Sequence, residues 1–344
     1  MVTAICKEIR LQKEYLPTKS LQTIYFGGGT PSLLSEPELI QIFEAIHSVY
    51  DVEANAEITL EANPDDLTTT KLRELRKYVN RLSIGIQSFD DASLKFMNRA
   101  HGSEEASNCV RLSQDAGFEN ISIDLMYNSI PSNENLKLWK SDLEKAISLN
   151  VPHISAYSLT IEPKTAFERW VKTGKIKPTD EDISAEQFEM MAETLTKSGY
   201  EHYEVSSFAK PNQYSKHNSS YWKRKPYLGV GPSAHSYNGS SRQFNVSNNS
   251  KYITAISQNI IPAEIEILSK NDQANDYLLT SLRTMWGSEI EILNKIIGQN
   301  FCEIQKNSID SFLKQKLLEI KNNTLLLTSK GKLFADYIAS ELFL

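Results

Sequence analysis

Thr23-Ile24-Tyr25-Phe26-Gly27-Gly28-Gly29-Thr30-Pro31-Ser32 is the stretch on which the fold turns. Thr23–Phe26 is β-branched and aromatic, the composition of a short strand, and the glycine run cuts it off. The same pattern recurs outward along the chain. Strand candidates at Glu57–Leu60, Arg81–Ile86, Ile121–Met126 and His153–Leu159 alternate with amphipathic helical stretches at 36–49, 68–77, 103–116 and 134–149. Their starts lie roughly 25–40 residues apart, the length of a βα unit. Repeated βα units with buried apolar strands predict an α/β fold with a parallel sheet, open or closed into a barrel.

In such a fold the chemistry sits at the C-terminal ends of the strands. The second strand runs into Glu61-Ala62-Asn63-Pro64, the third into Gln87-Ser88-Phe89 and the fifth into Tyr157-Ser158, while Asp124 closes Ile121-Ser122-Ile123. A glycine run lets backbone N–H and C=O groups approach a ligand closely, and Thr30 adds a hydroxyl. Glu61 suits a ligand ammonium, Gln87 and Asp124 suit ribose hydroxyls or a polar edge, and the Arg99 fork suits a carboxylate. Together they fit a zwitterionic nucleoside better than a phosphate. No P-loop pattern is present, and Gly229-Val230-Gly231 is too short for a dinucleotide fingerprint. Taken singly these residues have plainer readings. The glycines alone make a tight turn and Glu61 alone a surface carboxylate, whereas Asp124 in an apolar run needs a partner.

The bulk of the sequence narrows the function classes. It has 344 residues, 40% hydrophobic and 23% charged, with 37 basic and 43 acidic side chains for a net charge of −6. That balance gives a nucleic-acid partner no electrostatic support. No apolar run is long enough to span a membrane, and the first residues lack the apolar core of a secretory signal. Cys6, Cys109 and Cys302 are too scattered for a disulfide framework and read as small buried residues. The expectation is a cytoplasmic protein. A helix is predicted at 180–198. Residues 200–250, rich in Tyr, Ser and Asn with Pro211, Pro226 and Pro232, are expected to be irregular. Short helices at 273–284, 288–297 and 307–318, a polar turn at Lys321-Asn322-Asn323, a strand at Thr324–Thr328 and a helix at 331–342 predict a winged-helix-like α+β domain. The expected division is 1–205, 206–265 and 266–344.

With these motifs assembled, the chain resembles the radical SAM family. The resemblance rests on Tyr25–Ser32, Glu61–Pro64, Arg81–Phe89 and Asp124-Leu125-Met126, and it points to the branch holding anaerobic coproporphyrinogen III oxidase and the HemW heme chaperones. The chaperone side is favoured by Tyr157-Ser158-Leu159-Thr160-Ile161-Glu162-Pro163, His217-Asn218-Ser219-Ser220-Tyr221-Trp222, Tyr227–Gly231 and Ala234-His235-Ser236, and Leu327–Lys332 resembles the end of the family's C-terminal domain. The resemblance implies a partial, TIM-like (β/α) barrel. It implies S-adenosylmethionine (SAM) contacts at Gly28, Gly29, Thr30, Glu61, Gln87, Arg99 and Asp124. It implies a heme-binding element in which His217 is a candidate iron ligand, with His202 and His235 as competitors, and Tyr221 and Trp222 are candidates to stack on the porphyrin; the plainer readings are a hydrogen-bonded loop histidine for His217 and a small core closed by Tyr221 and Trp222. Implied cofactors are SAM, heme and a 4Fe-4S cluster. Implied partners are heme-accepting proteins, respiratory hemoproteins among them, with no nucleic acid and no membrane span, peripheral membrane contact being allowed.

Two departures from the family pattern carry expectations. Family members place a strand and a Cys-x-x-x-Cys-x-x-Cys loop before the helix that precedes Gly-Gly-Gly-Thr-Pro, and these 344 residues begin inside that helix. The resemblance then implies that the first strand and the cluster ligands are not among them. It implies an open sheet edge, no reductive cleavage of SAM by these residues alone, and a reading frame that starts further upstream. Asn128 stands where the family usually has glycine, and asparagine tolerates the left-handed backbone a ligand-side turn needs. Three functions compete: a heme chaperone, an oxygen-independent coproporphyrinogen III oxidase, and a cluster-free remnant. No catalytic residue is assigned.

Overall fold

The structure, a computed structural model, describes residues 1–128, 134–159, 166–174 and 181–344. Residues 160–163 of the Tyr157–Pro163 pattern lie outside these. The chain forms two compact units, neither contiguous in sequence: one of residues 1–24, 34–57 and 216–344, the other of 25–33 and 58–215.

Seven strands form the main sheet: β1 Ser20–Phe26, β2 Asp51–Ala62, β3 Arg81–Gln87, β4 Asn120–Tyr127, β5 His153–Ser158, β6 Glu201–Glu204 and β7 Ser207–Ala209. Their order is β1-β2-β3-β4-β5-β7-β6. The β2/β3, β3/β4 and β4/β5 pairs are parallel, while β7 adds to β5, and β6 to β7, in antiparallel fashion. Parallel pairs dominate because helical crossovers join these strands. The register aligns Leu60 with Leu82, Leu82 with Ile121, Ile84 with Ile123 and Ile123 with Ile154. All six are buried, and Leu72, Leu75, Val110, Trp139 and Leu143 of the intervening helices complete an apolar core. Alternate residues share the other face: Glu61 beside Ser83, Ser83 beside Ser122, and Asp124 beside Ser155. Parallel sheets are usually apolar on both faces, so a polar face in this one points to a ligand.

The five strands expected from the sequence are present, with Glu57–Leu60 lengthened to the twelve residues of β2. Residues 200–250, expected to be irregular, are ordered instead. They hold β6, β7, the helix Lys216–Trp222 and two strands, β8 His235–Tyr237 and β9 Ser241–Asn245, which form an antiparallel sheet with β10 Ala263–Ile267. Strands of three to five residues are too short to show a period. Beyond them, β11 Ser288–Glu289, β12 Leu318–Lys321 and β13 Thr324–Leu327 form a second antiparallel sheet in the order β11-β13-β12. The helix expected at 307–318 ends at Lys314, and Leu318 opens β12. Asn322 and Asn323, at φ 49° and 60°, close the β12/β13 hairpin, the backbone a two-residue I′ turn requires.

The N-terminal helix Val2–Leu11 carries a fully buried carboxylate, Glu8. Gln12 Nε2 and Asn245 Nδ2 donate to Oε1 at 2.8 and 2.7 Å, and the Gly231 N–H and the Tyr252 hydroxyl donate to Oε2 at 2.8 and 2.5 Å. Gln243 extends the network to Gln12 at 2.9 Å. Ala4, Tyr252 and Ile256 form a small apolar core in the same unit. Four donors on one carboxylate offset the desolvation that burial of the charge imposes.

Candidate functional site

A cavity of about 230 Å³ opens at the C-terminal ends of β2, β3 and β4, and Gly29, Thr30, Glu61, Gln87, Arg99 and Asp124 all line it. Gly28 and Gly29, at φ 74° and 64°, form a left-handed turn that residues with a Cβ rarely adopt. Glu61 holds that turn: its Oε2 accepts the Gly28 N–H at 3.0 Å and its Oε1 the Tyr25 hydroxyl at 2.7 Å. Ser32 ties the end of the loop to Asp66 through a 2.6 Å bond. The Gly29-Thr30 end of this turn and the Glu61 carboxylate thus line one space.

Arg99 supplies the opposite charge. Its Nη2 donates to Asn63 Oδ1 at 2.8 Å and to the Gly85 carbonyl at 3.0 Å. A Cβ on Gly85 would sit 3.0 Å from the Gln87 amide nitrogen and 3.2 Å from Arg99 Nη2, so glycine there lets both side-chain tips pack close to the strand. The β3/β4 register breaks between Ile84 and Gln87, and Gln87 sits at φ 66°. This irregularity re-aims the end of the strand, as bulges beside ligand sites do. His101 Nε2 bonds the Ile86 carbonyl at 3.0 Å and braces the same kink.

Asp124 lies between Ser83, whose hydroxyl reaches it at 3.3 Å, and the positive field of the buried Arg81. Burial pushes its pKa up to about 6, with Arg81, Ser83 and Ser155 pulling down and Glu61 pushing further up. It can switch between accepting and donating a hydrogen bond close to neutral pH.

Asp142, buried on the helix Asn135–Ser148, anchors the residues after β3: the Ser88 hydroxyl and the Phe89 N–H donate to it at 2.7 and 2.8 Å. Burial pushes it up to about 6. Its folded pKa lies above its unfolded one, so the folded state holds the proton longer. The related stability is full below about pH 4 and is lost as pH rises through about 6, a change on the order of 2–3 kcal/mol. Asp142→Asn keeps an acceptor for Phe89, and Ser88 can reverse its hydroxyl to accept. Urea unfolding at about pH 4 and about pH 7 is expected to show a smaller stability difference in Asp142→Asn than in the unaltered protein. Equal differences would mean that Asp142 titrates normally.

In the other unit, the helix Lys216–Trp222 carries the His-Asn-x-x-Tyr-Trp motif. Its first turn is held by Glu57, a buried carboxylate that accepts the N–H groups of Lys216 and His217 at 3.0 and 2.9 Å. The His217 ring is bonded at both nitrogens, Nδ1 to Thr23 Oγ1 at 2.9 Å and Nε2 to Tyr221 Oη at 2.8 Å. Tyr221 meets Tyr227 edge to face at 4.6 Å, and burial raises its phenol to about 12. Trp222 Nε1 is buried without a hydrogen-bond partner, and the Arg283 guanidinium lies 5.7 Å from its ring. The competing histidines sit in other surroundings. His202 stacks on Phe208 at 4.1 Å and bonds the Val205 carbonyl, while His235 is exposed beside Phe244.

The three thiols do not suit an iron–sulfur cluster. Cys6 and Cys109 are buried and donate to carbonyls of Gln41 and Ala106, and burial raises the pKa of all three cysteines, to about 12 for Cys109. Cluster ligands are clustered thiolates. Among the described residues no group of three His, Cys, Asp or Glu side chains is placed to hold a metal ion. Asn128 is buried at φ 57°, so the left-handed turn expected there is kept without glycine.

Residues 7–134 match the Radical SAM superfamily. The heme chaperone HemW of Lactococcus lactis subsp. lactis (strain IL1403) is 36% identical over 91% of this chain and 82% of its own length. That of Bacillus subtilis (strain 168) is 32% identical over 92% and 84%. The chain belongs to the HemW family. Coproporphyrinogen III oxidase (HemN) from Escherichia coli, a radical SAM enzyme, superposes with a TM-score of 0.83 over 99% of this chain and 82% of its own, at 20% identity. That likeness shows a shared fold: the parallel-dominated α/β sheet of the radical SAM proteins with small antiparallel sheets toward the C-terminus. In this HemW-family chain the cavity also uses residues that were quoted from the sequence without a role. Tyr25 fixes Glu61, Ser83 reaches Asp124, Asn63 holds Arg99, and Gly85 makes room. Parity with Gln87 along β3 was the signal for Ser83 and Gly85. Glu57, four residues before Glu61 on β2, had none.

Proposed function

We propose that this protein is a heme chaperone of the HemW type, which binds heme on the helix Lys216–Trp222 and hands it to hemoproteins. One observation carries the reading. In a chain matched over nine-tenths of its length by heme chaperones, that helix bears an imidazole, a phenol and an indole and is secured at its first turn by a buried carboxylate. Acceptors are hemoproteins, respiratory ones included. No described helix is long and apolar enough to cross a membrane, and the net charge of −6 gives nucleic acid no purchase.

The cavity of the other unit suits SAM. Glu61 would take its ammonium, Arg99 its carboxylate, Gln87 and Asp124 its ribose hydroxyls, and the Gly28-Gly29-Thr30 turn its remaining polar edge. SAM bound there supplies the sulfonium of radical SAM chemistry. The charged set, the carboxylates of Glu61 and Asp124 and one guanidinium on a single small space, supports a zwitterion and disfavours a phosphate. The described thiols do not fit a cluster.

Titration with hemin tests the chaperone reading. A saturable Soret shift, followed by transfer of the heme to an apo-hemoprotein such as apomyoglobin, is expected. Absence of a saturable Soret shift would sink the chaperone reading.

A further inference from the structure

We propose that the iron-facing group of the helix Lys216–Trp222 is the phenol oxygen of Tyr221, and that His217 is its positioning residue. The proposal rests on the heme reading above and departs from the imidazole ligation that the motif suggests. A neutral imidazole has one N–H and one lone pair, and which nitrogen is available to a metal is set by the bond the other makes. Both nitrogens of His217 are committed, to Thr23 and to Tyr221. The backbone that carries the ring is also held, because Glu57 accepts the N–H of His217 itself. Ligation through Nε2 would need Tyr221 to let go, and ligation through Nδ1 would need Thr23 to do so.

Tyr221 is under no such restriction. A hydroxyl has one proton to donate and two lone pairs. When Tyr221 O–H donates to Nε2, its oxygen keeps lone-pair capacity for a metal, and Nδ1–H is matched by Thr23 Oγ1. The Tyr221 ring is set by edge contacts on two sides, with the His217 ring at 4.9 Å and 85° and with the Tyr227 ring at 4.6 Å and 88°. The residue is partly exposed, as a ligand to an incoming heme must be. Tyrosinate is an established class of axial ligand to heme iron. On ligation to ferric heme the Tyr221 O–H bond breaks and an oxygen–iron bond forms from an oxygen lone pair. The proton passes to His217 Nε2, and the resulting imidazolium keeps both N–H groups bonded, one to the phenolate and one to Thr23.

The test is resonance Raman and optical spectroscopy of the full chain loaded with ferric hemin. Phenolate modes and a red charge-transfer band are expected in the unaltered protein, with both lost in Tyr221→Phe. Thr23→Val, which removes the partner of Nδ1, is expected to shift the charge-transfer band without removing it. A low-spin imidazole-type spectrum in the unaltered protein overturns the assignment while leaving the heme reading in place. Phenolate modes that persist in Tyr221→Phe overturn it as well. No Soret shift in the unaltered protein overturns both the assignment and the heme reading beneath it.

Discussion

Replacing Glu8 with alanine lowers the unfolding free energy of its unit by roughly 3–5 kcal/mol. The truncation strips an acceptor from four donors at once: Gln12, Asn245, the Gly231 N–H and the Tyr252 hydroxyl. A buried donor left unpaired costs about 1–3 kcal/mol, and rearrangement of the flexible amides recovers part of the sum. The Gly231 N–H has the least freedom to find a new partner, being backbone. Glu8→Gln is expected to fall between the two proteins, since its carbonyl still serves one side of the network while its amide faces donors on the other. Urea unfolding followed by tryptophan fluorescence gives the midpoints. A Glu8→Ala midpoint within about 1 kcal/mol of the unaltered protein at equal slope would mean that water replaces the carboxylate and that the network is not a keystone.

The second large effect is on ligand affinity. Glu61→Gln is expected to weaken SAM binding by about 10- to 100-fold, the size of a lost charged hydrogen bond. The amide removes the charge that would pair with the ammonium, and its NH₂ opposes the Gly28 N–H that Glu61 now holds. Arg99→Ala is expected to act with similar size through the carboxylate. Calorimetry with two analogues separates these contacts from general damage. An analogue without the amino group is insensitive to Glu61→Gln beyond the cost to the glycine turn, and one without the carboxylate is insensitive to Arg99→Ala. If each variant weakened every analogue equally, the zwitterion assignment would fail.

Much of this site could be read in advance because parallel strands put their functional groups at a predictable end. Glu61, Gln87 and Asp124 lie far apart in sequence yet line one cavity, as strand-end residues of neighbouring βα units must. Arg99 was legible from its chemistry, and its placement is set by Asn63 and the Gly85 carbonyl. What escaped notice shares one physical cause. Glu8 sits on an amphipathic helix where a carboxylate ordinarily faces water, and three of its four partners lie more than 220 residues away. Glu57 likewise meets its helix about 160 residues on. No local window contains such pairings. The ordered stretch 200–250 was missed for the opposite reason, since strands of three residues leave no periodic trace. The role of His217 turned on two hydroxyls, and hydroxyl partners leave no mark on a motif.

The alternation along β2, β3 and β4 also governs which length changes the gene can tolerate. One face of these strands is ionic and the other is greasy, in matched register. Slipping the register of Arg81–Ile84 by a single residue would turn Arg81 and Ser83 toward the helices and Leu82 and Ile84 toward the cavity. A two-residue change keeps the faces and only slides the strand. Surviving length variants are therefore expected in the connections, or in even steps within the strands, so whole-residue insertions and deletions in this part of the chain are filtered by parity.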